Sequence, residues 1–255
     1  MNTMKKILTA FLACAMLCGC HAGKKTSGTI RIGIEKDYRP FSYRENNKYI
    51  GYDVDIAKEI ASRLGYKVKF VYKRADQLLK DLDDKKIDML ANQVEPDRET
   101  DKEVRYLYST MYKCDYGVIV TNKEENNIKL FQDIRNRKTS GVKGTYWEYL
   151  DHFNGGLMTP VDNSEEALDL VANKKVVASV TDLMTYNDYK FRHPQSDVKI
   201  ALMTSLIYDF SFLMRLDQTS LNNQVSRVIT KMDHDGSMSK ISKKYFEEDI
   251  SKNKR

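Results

Sequence analysis

The side chains best suited to binding chemistry directly follow predicted strands. Glu35–Phe41 comes after the alternating run Thr29–Ile34, and Asn92–Arg98 comes after the short apolar run Ile87–Ala91. Both segments are rich in polar and aromatic groups. Ligands of open α/β sheets bind beyond the carboxyl ends of the strands. The sequence therefore predicts a binding site for a small molecule at this edge of a sheet.

The elements that must position this site alternate between strands and helices. Apolar residues recur at helical spacing after Asp53, the predicted N-cap of a first helix, and a second helix is predicted over Asp76–Lys85. This order of strands and helices indicates an open α/β sheet. A second α/β unit is predicted over residues 114–209.

The second unit offers further polar groups at predicted helix and strand ends. Gly144 and Thr145 open a helix whose first N–H groups can bind an anion, although an ordinary N-cap fits the same residues. Ser164 is predicted to cap the next helix. Asp182 follows the predicted strand Val176–Val180, a place where an aspartate also serves as a turn or cap residue.

Charge and motif content exclude several classes of function. The formal net charge is +6, but basic and acidic residues are interspersed, whereas a nucleic-acid-binding surface needs a concentrated basic stripe. The four histidines are scattered without metal-ligand spacing, and no nucleophile elbow, phosphate loop or dinucleotide motif is present. The sequence therefore predicts no metal, no cofactor and no enzymatic activity.

The N-terminus has the pattern of an export signal. Two lysines precede the apolar run Ile7–Leu17, which is too short to span a bilayer as a mature anchor. The run ends in Leu17–Cys20, which resembles a bacterial lipobox. That resemblance implies cleavage after Gly19 and acylation of Cys20 with palmitate or similar chains. An ordinary secretory signal is the alternative.

The cysteine content is consistent with export. Cleavage of the signal would leave Cys20, which would carry lipid, and Cys114, so that no intramolecular disulfide is expected. Cys114 lies in Met111–Val120, a mostly apolar run typical of a strand. We therefore expect a buried, unreactive thiol.

Short motifs occur in a characteristic order along nearly the whole chain after the signal. They are Asp37–Phe41, Gly51–Ala57, Ile87-Asp88, Ala91–Val94, Tyr106–Ser109, Gly141–Thr145, Thr181-Asp182 and Asp235-Gly236. Together they resemble the family 3 extracellular solute-binding proteins, the amino-acid receptors of bacterial ABC importers. The motif Ala91–Val94 is similar to the cystine-binding branch.

The resemblance implies an α/β, two-lobed periplasmic-binding-protein fold of type II. Each lobe would be an open, mostly parallel sheet flanked by helices, and two crossing strands would form the hinge. After a signal peptide at 1–19 and a lipidated tether at 20–28, lobe 1 would comprise 29–113 and 210–255, and lobe 2 would comprise 114–209. The lobes would close on a ligand by a hinge motion.

The resemblance also assigns ligand contacts. Tyr38 would lie over the ligand, although a tyrosine on the surface of a lobe is the alternative. Asp182 would bind the ligand's ammonium group. Gly144 and Thr145 would receive its carboxylate, and Tyr146 would narrow the cleft.

Two further segments remain open between alternatives. Asn92 and Gln93 either contact the ligand or cap the next turn. The arginine with which family members bind the α-carboxylate falls on Arg98 by local pattern, but on Lys102 by counting back from Ser109. Arginine would bind a carboxylate bidentately, and lysine only as a point charge.

The function that these features predict is capture of a small polar solute, an amino acid, and its delivery to an ABC permease. The protein would be a monomer held by its lipid anchor at a membrane, facing the periplasm or the cell exterior. A ligand-sensing module for a membrane signalling partner needs the same cleft and is the alternative. A dehydratase on this fold, with Glu95 as general acid, is a further one.

Overall fold

A computed structural model describes residues 28–94, 105–246 and 248–252, with Gln93 and Val94 described by their backbone alone. The strands in these ranges are β1 (Thr29–Glu35), β2 (Tyr43–Glu45), β3 (Lys48–Ile50), β4 (Lys67–Lys73), β5 (Met89–Val94), β6 (Tyr106–Tyr108), β7 (Lys113–Asn122), β8 (Lys138–Val142), β9 (Leu157–Val161), β10 (Ala178–Asp182) and β11 (Val198–Arg215). The helices are α1 (Tyr52–Leu64), α2 (Ala75–Asp83), α3 (Tyr146–Phe153), α4 (Ser164–Ala172), α5 (Leu183–Arg192), α6 (Thr219–His234) and α7 (Ser237–Tyr245).

The strands form two parallel groups that two long strands connect. The sheet order is β4-β1-β5-β11-β7-β10-β8-β9, with β6 also paired to β11. Strand β1 runs parallel to β4 and β5, and β8 runs parallel to β9 and β10. Strands β7 and β11 are antiparallel to each other and to the neighbouring strand of each group. The predicted α/β fold with two crossing strands is confirmed.

Each group of strands has its own buried core. Ile60 of α1 and Ile229 of α6 belong to one cluster, so the C-terminal helices complete the first lobe. Trp147 of α3 and Val180 of β10 belong to a second cluster, in the other lobe. The lobe boundaries at 113/114 and 209/210 stay a prediction.

Two predicted helix caps are wrong by one or two residues. The N-cap of α1 is Gly51, and Asp53 therefore lies in the first turn. Gly51 has a φ of 131°, a conformation that residues with a side chain rarely adopt. The N-cap of α4 is Asn163, whose side-chain oxygen accepts the N–H of Glu166 at 2.9 Å. Ser164 is therefore the first residue of the helix rather than its cap.

The cysteine in β7 is enclosed by the C-terminal segment, as the apolar run predicts. The Cys114 thiol is buried and lies 3.3 Å from the carbonyl oxygen of Ile250 and 3.1 Å from that of Lys252. Within the described ranges, none of the helices is long and apolar enough to cross a membrane.

Candidate functional site

Two predicted site residues from opposite lobes are in direct contact. The hydroxyl of Tyr38, in the loop after β1, donates a hydrogen bond of 2.5 Å to Oδ2 of Asp182, the last residue of β10. Both residues are buried, at 3% and 1% exposure. The indole N–H of Trp147 in α3 donates to the same hydroxyl at 3.5 Å. The site thus forms where the carboxyl ends of strands from both lobes meet.

The carboxylate of Asp182 makes two contacts, one with each oxygen. Its Oδ1 accepts the backbone N–H of Thr185 at 2.7 Å and so caps α5. Its Oδ2 faces the hydroxyl of Tyr38. A cap contact therefore holds the carboxylate in place while one oxygen is directed into the cleft.

The turn before α3 presents a backbone N–H group that already receives a carboxylate. The N–H of Gly144 donates to Oε2 of Glu148 at 2.6 Å. Thr145 is the N-cap, and its hydroxyl accepts the N–H of Glu148 at 3.3 Å and donates to the carbonyl of Val142 at 2.8 Å. An internal acid thus occupies the anion position that the helix start provides.

Gly144 is also a contact point between the lobes. Its φ is 84°, and a Cβ built on it would lie 2.5 Å from Cα of Asp76 in α2. Only a residue without a side chain therefore allows the two backbones to approach this closely. At the same rim, Arg74 forms an ion pair of 3.3 Å with Asp162.

The remaining predicted contacts are distributed differently. Asn92 has a φ of 62°, and its N–H donates to the hydroxyl of Tyr112 at 2.9 Å. Gln93 pairs with Ser211 between β5 and β11, and its side chain is outside the described atoms. The ring of Tyr146 packs on those of Trp147 and Tyr208 in an aromatic cluster of the second lobe. Arg98, Lys102 and Cys20 lie outside the described residues.

Sequence reasoning missed a buried lysine at the centre of the molecule. Lys113, the first residue of β7, has a fully buried side chain whose ammonium lies 3.4 Å from Oδ1 of Asp53. The same ammonium lies 3.4 Å from the ring centroid of Phe41. The sequence held a signal for it. Lys113 lies in the apolar run Met111–Val120, and a lysine in a strand that is otherwise buried is expected to be buried as well and to need a partner.

Buried carboxyl groups surround this lysine, and their pKa values are shifted. Burial raises the pKa of Glu35 to about 8, although the positive charge of Lys113 opposes the shift. Burial and the nearby charge of Asp182 raise the pKa of Asp115. Burial also raises the pKa of Asp53, against the attraction of Lys113. The site is therefore rich in buried acidic groups.

The space between the lobes consists of a small inner cavity and a larger outer groove. A cavity of about 10 Å³ adjoins Tyr38 and Trp147, which is room for roughly one water molecule. A larger groove of about 460 Å³ opens between Arg39 and Arg44 of the first lobe and Asp188 and Arg192 of the second. In this conformation the lobes fill the inner site with their own side chains.

Comparisons with known proteins identify similar proteins that bind solutes. A family model described as bacterial extracellular solute-binding proteins, family 3, matches residues 30–248. The L-cystine-binding protein TcyA of Bacillus subtilis is 31% identical over 98% of this chain and 100% of its own. A probable amino-acid ABC transporter-binding protein of Haemophilus influenzae is 31% identical over 97% of this chain and 100% of its own. An ancestral arginine-binding protein bound to arginine superimposes with a TM-score of 0.78 at 28% identity, over 87% of this chain and 99% of that one.

Proposed function

Because the chain belongs to the bacterial extracellular solute-binding proteins of family 3, we propose that it captures an amino acid between Tyr38 and Asp182 and delivers it to an ABC importer. The observation that carries this proposal is the Tyr38–Asp182 contact, which places an aromatic ring and a buried carboxylate from opposite lobes at one point. The similar proteins are binding proteins of amino acids, which supports binding without catalysis as the role of this chain.

An amino acid has an ammonium group that needs an anion. Oδ2 of Asp182 provides one, because its other oxygen is held by the α5 cap and stays in place when a ligand enters. The ammonium would take the place of the Tyr38 hydroxyl as donor to Oδ2. The tyrosine ring would then remain available for contact with the body of the ligand.

The ligand's carboxylate needs N–H donors or a cation. The N–H of Gly144 is suited to this role, because it already holds the carboxylate of Glu148 at 2.6 Å. In our proposal the ligand carboxylate replaces that of Glu148, which swings outward. Arg98 or Lys102, together with Asn92 and Gln93, would complete the site from the first lobe.

Entry of a ligand requires the lobes to separate. The inner cavity of about 10 Å³ is far smaller than any amino acid. Strands β7 and β11 are the connections about which the lobes at 29–113 with 210–255, and at 114–209, would rotate. The closed form with ligand would then be the form that the membrane permease binds.

We further propose that the mature protein is exported and anchored by lipid on Cys20, with residues 20–28 as tether. The Leu17–Cys20 pattern supports this assignment. Two or more acyl chains would hold the protein stably at a membrane, whereas one chain would not. The test is fractionation: Cys20→Ala is expected to move the protein from the membrane fraction to the soluble one. Retention of this variant in the membrane fraction contradicts the anchor.

Thermal unfolding tests the ligand class. A ligand that binds only the folded state raises the unfolding midpoint, and the rise grows with the logarithm of its concentration over Kd. We expect a rise with at least one amino acid of a panel that includes cystine, and no rise with organic acids that lack an ammonium group. A midpoint that no amino acid changes would contradict the proposal.

A further inference from the structure

The ammonium of Lys113 lies inside a cage of aromatic rings. Its Nζ is 3.4 Å from the ring centroid of Phe41 and 4.9 Å from that of Phe210. The rings of Tyr38 and Tyr112 both lie at 5.8 Å. Aromatic cages of this kind stabilise a cation through the negative faces of the rings. Here the cation that fills the cage belongs to the protein.

Carboxyl groups from several elements lie around this ammonium. Asp53 of α1 is the nearest, with Oδ1 at 3.4 Å. Glu35 at the end of β1, Asp115 in β7 and Asp182 at the end of β10 are buried around it. Burial is the largest influence on Lys113 and lowers its pKa, while the charges of Asp53, Asp182 and Asp115 act in the opposite direction.

Lys113 is not fully satisfied by these neighbours. Among the described residues, its Nζ has no hydrogen-bond partner, although the side chain is completely buried. The contact with Asp53 is an ion pair without a well-directed hydrogen bond. Rings and one carboxylate therefore hold the buried Nζ of Lys113 next to Tyr38, at the junction of the two lobes.

We propose that Lys113 determines specificity by occupying the place that a cationic side chain of the ligand would need, so that the cleft excludes amino acids such as arginine and lysine. This inference rests on the proposed function. The carboxylate of Asp182 would bind the ligand's α-ammonium, whereas the aromatic cage and the carboxylate of Asp53 are already occupied by the ammonium of Lys113.

Three physical effects oppose a second ligand cation at this position. Its charge would lie beside that of Lys113 in a site with little water to screen the repulsion. The rings that would receive it are already in contact with Nζ. Glu35, the remaining acid of the first lobe in this cluster, has a pKa of about 8 and so is largely protonated at neutral pH.

The experiment is calorimetric titration of the purified protein with neutral amino acids, cystine, arginine and lysine. Wild type is expected to bind a neutral amino acid or cystine at least about tenfold more tightly than arginine or lysine. In Lys113→Met, which keeps the length of the side chain without its charge, this ratio is expected to fall by about tenfold or more. Lys231→Met, at an exposed position of α6, is the matched control and is expected to leave the ratio unchanged.

The possible failures are distinct from one another. If wild type binds arginine as tightly as neutral amino acids, the role of Lys113 is overturned but the proposed function stands. An unchanged ratio of affinities in Lys113→Met has the same meaning. Wild type that binds none of these amino acids overturns both. Loss of Lys113 leaves the Asp53 charge buried without a partner, which destabilises the fold. The double variant Lys113→Met with Asp53→Asn removes both charges and supplies the same test if the single variant does not fold.

Discussion

The Tyr38 hydroxyl and the Asp182 carboxylate form a hydrogen bond of 2.5 Å that connects the two lobes. The donor is neutral, whereas the group proposed to replace it is an ammonium. A positively charged donor adds Coulomb attraction to its hydrogen bond with a carboxylate. Ligand binding would therefore exchange a weaker donor for a stronger one at the same carboxylate oxygen.

Removal of this hydroxyl tests whether it keeps the unliganded lobes together. Tyr38→Phe is expected to shift the balance towards open lobes by about 1 kcal/mol, which is roughly fivefold. Trp147 is the chain's one tryptophan and lies against Tyr38, so its emission should move to longer wavelength as water reaches it. Tyr149→Phe, at an exposed position of α3, is the control. Emission spectra that coincide in wild type and Tyr38→Phe would contradict this role.

Closure should depend on the absence of a side chain at Gly144. In Gly144→Ala the new Cβ would overlap the backbone of Asp76, and φ would stay at an unfavourable 84°. Ligand affinity is expected to fall at least about tenfold, measured by calorimetry.

Gly155→Ala separates the strain of the backbone from the block to closure. Gly155 has a similar φ of 82°, but the atom nearest to its Cβ would be Cγ of the flexible Arg135 side chain, at 3.0 Å. Its affinity should therefore stay close to that of wild type. Equal losses in both variants would show that the Gly144–Asp76 approach has no part in binding.

Glu35 should make stability depend on pH. Its pKa is about 8 in the folded protein and near its usual 4.5 in the unfolded chain, so the folded state holds a proton that the unfolded state releases between these values. The free energy of unfolding therefore falls as pH rises from about 4.5 to 8, by on the order of a few kcal/mol.

Glu35→Gln cannot titrate, so its stability should fall less over this range than that of wild type. Urea unfolding at pH 5 and at pH 8.5 measures the difference, and Glu45→Gln, at an exposed position of β2, serves as control. If Glu35→Gln loses as much stability as wild type between these two pH values, Glu35 does not carry the effect.

The sequence was informative where function depends on the order of elements. Tyr38 and Asp182 each follow a strand, and the rule that ligands bind beyond strand ends places both at one site. The family resemblance, which rests on the order of motifs, implied two crossing strands, and β7 and β11 are these strands.

Contacts between residues far apart in the chain, and contacts that depend on a rotamer, were beyond such reasoning. The caging of Lys113 needs rings from Phe41 and Phe210, which are far apart in the chain. The occupation of the Gly144 N–H by Glu148 depends on a side-chain rotamer. The wrong cap at Asp53 has a similar cause, since its carboxylate turns towards Lys113 instead of the helix start.

Calorimetric titration of Asp182→Asn with the amino acid that wild type binds most tightly tests the central claim. Asparagine keeps the acceptor that caps α5, so the fold should be retained, but it lacks the charge that pairs with an ammonium. The account predicts a loss of affinity of at least about tenfold and little change in the unfolding midpoint. The control Asp197→Asn, at an exposed position beside Lys123, should keep the affinity of wild type. Unchanged affinity in Asp182→Asn would contradict it.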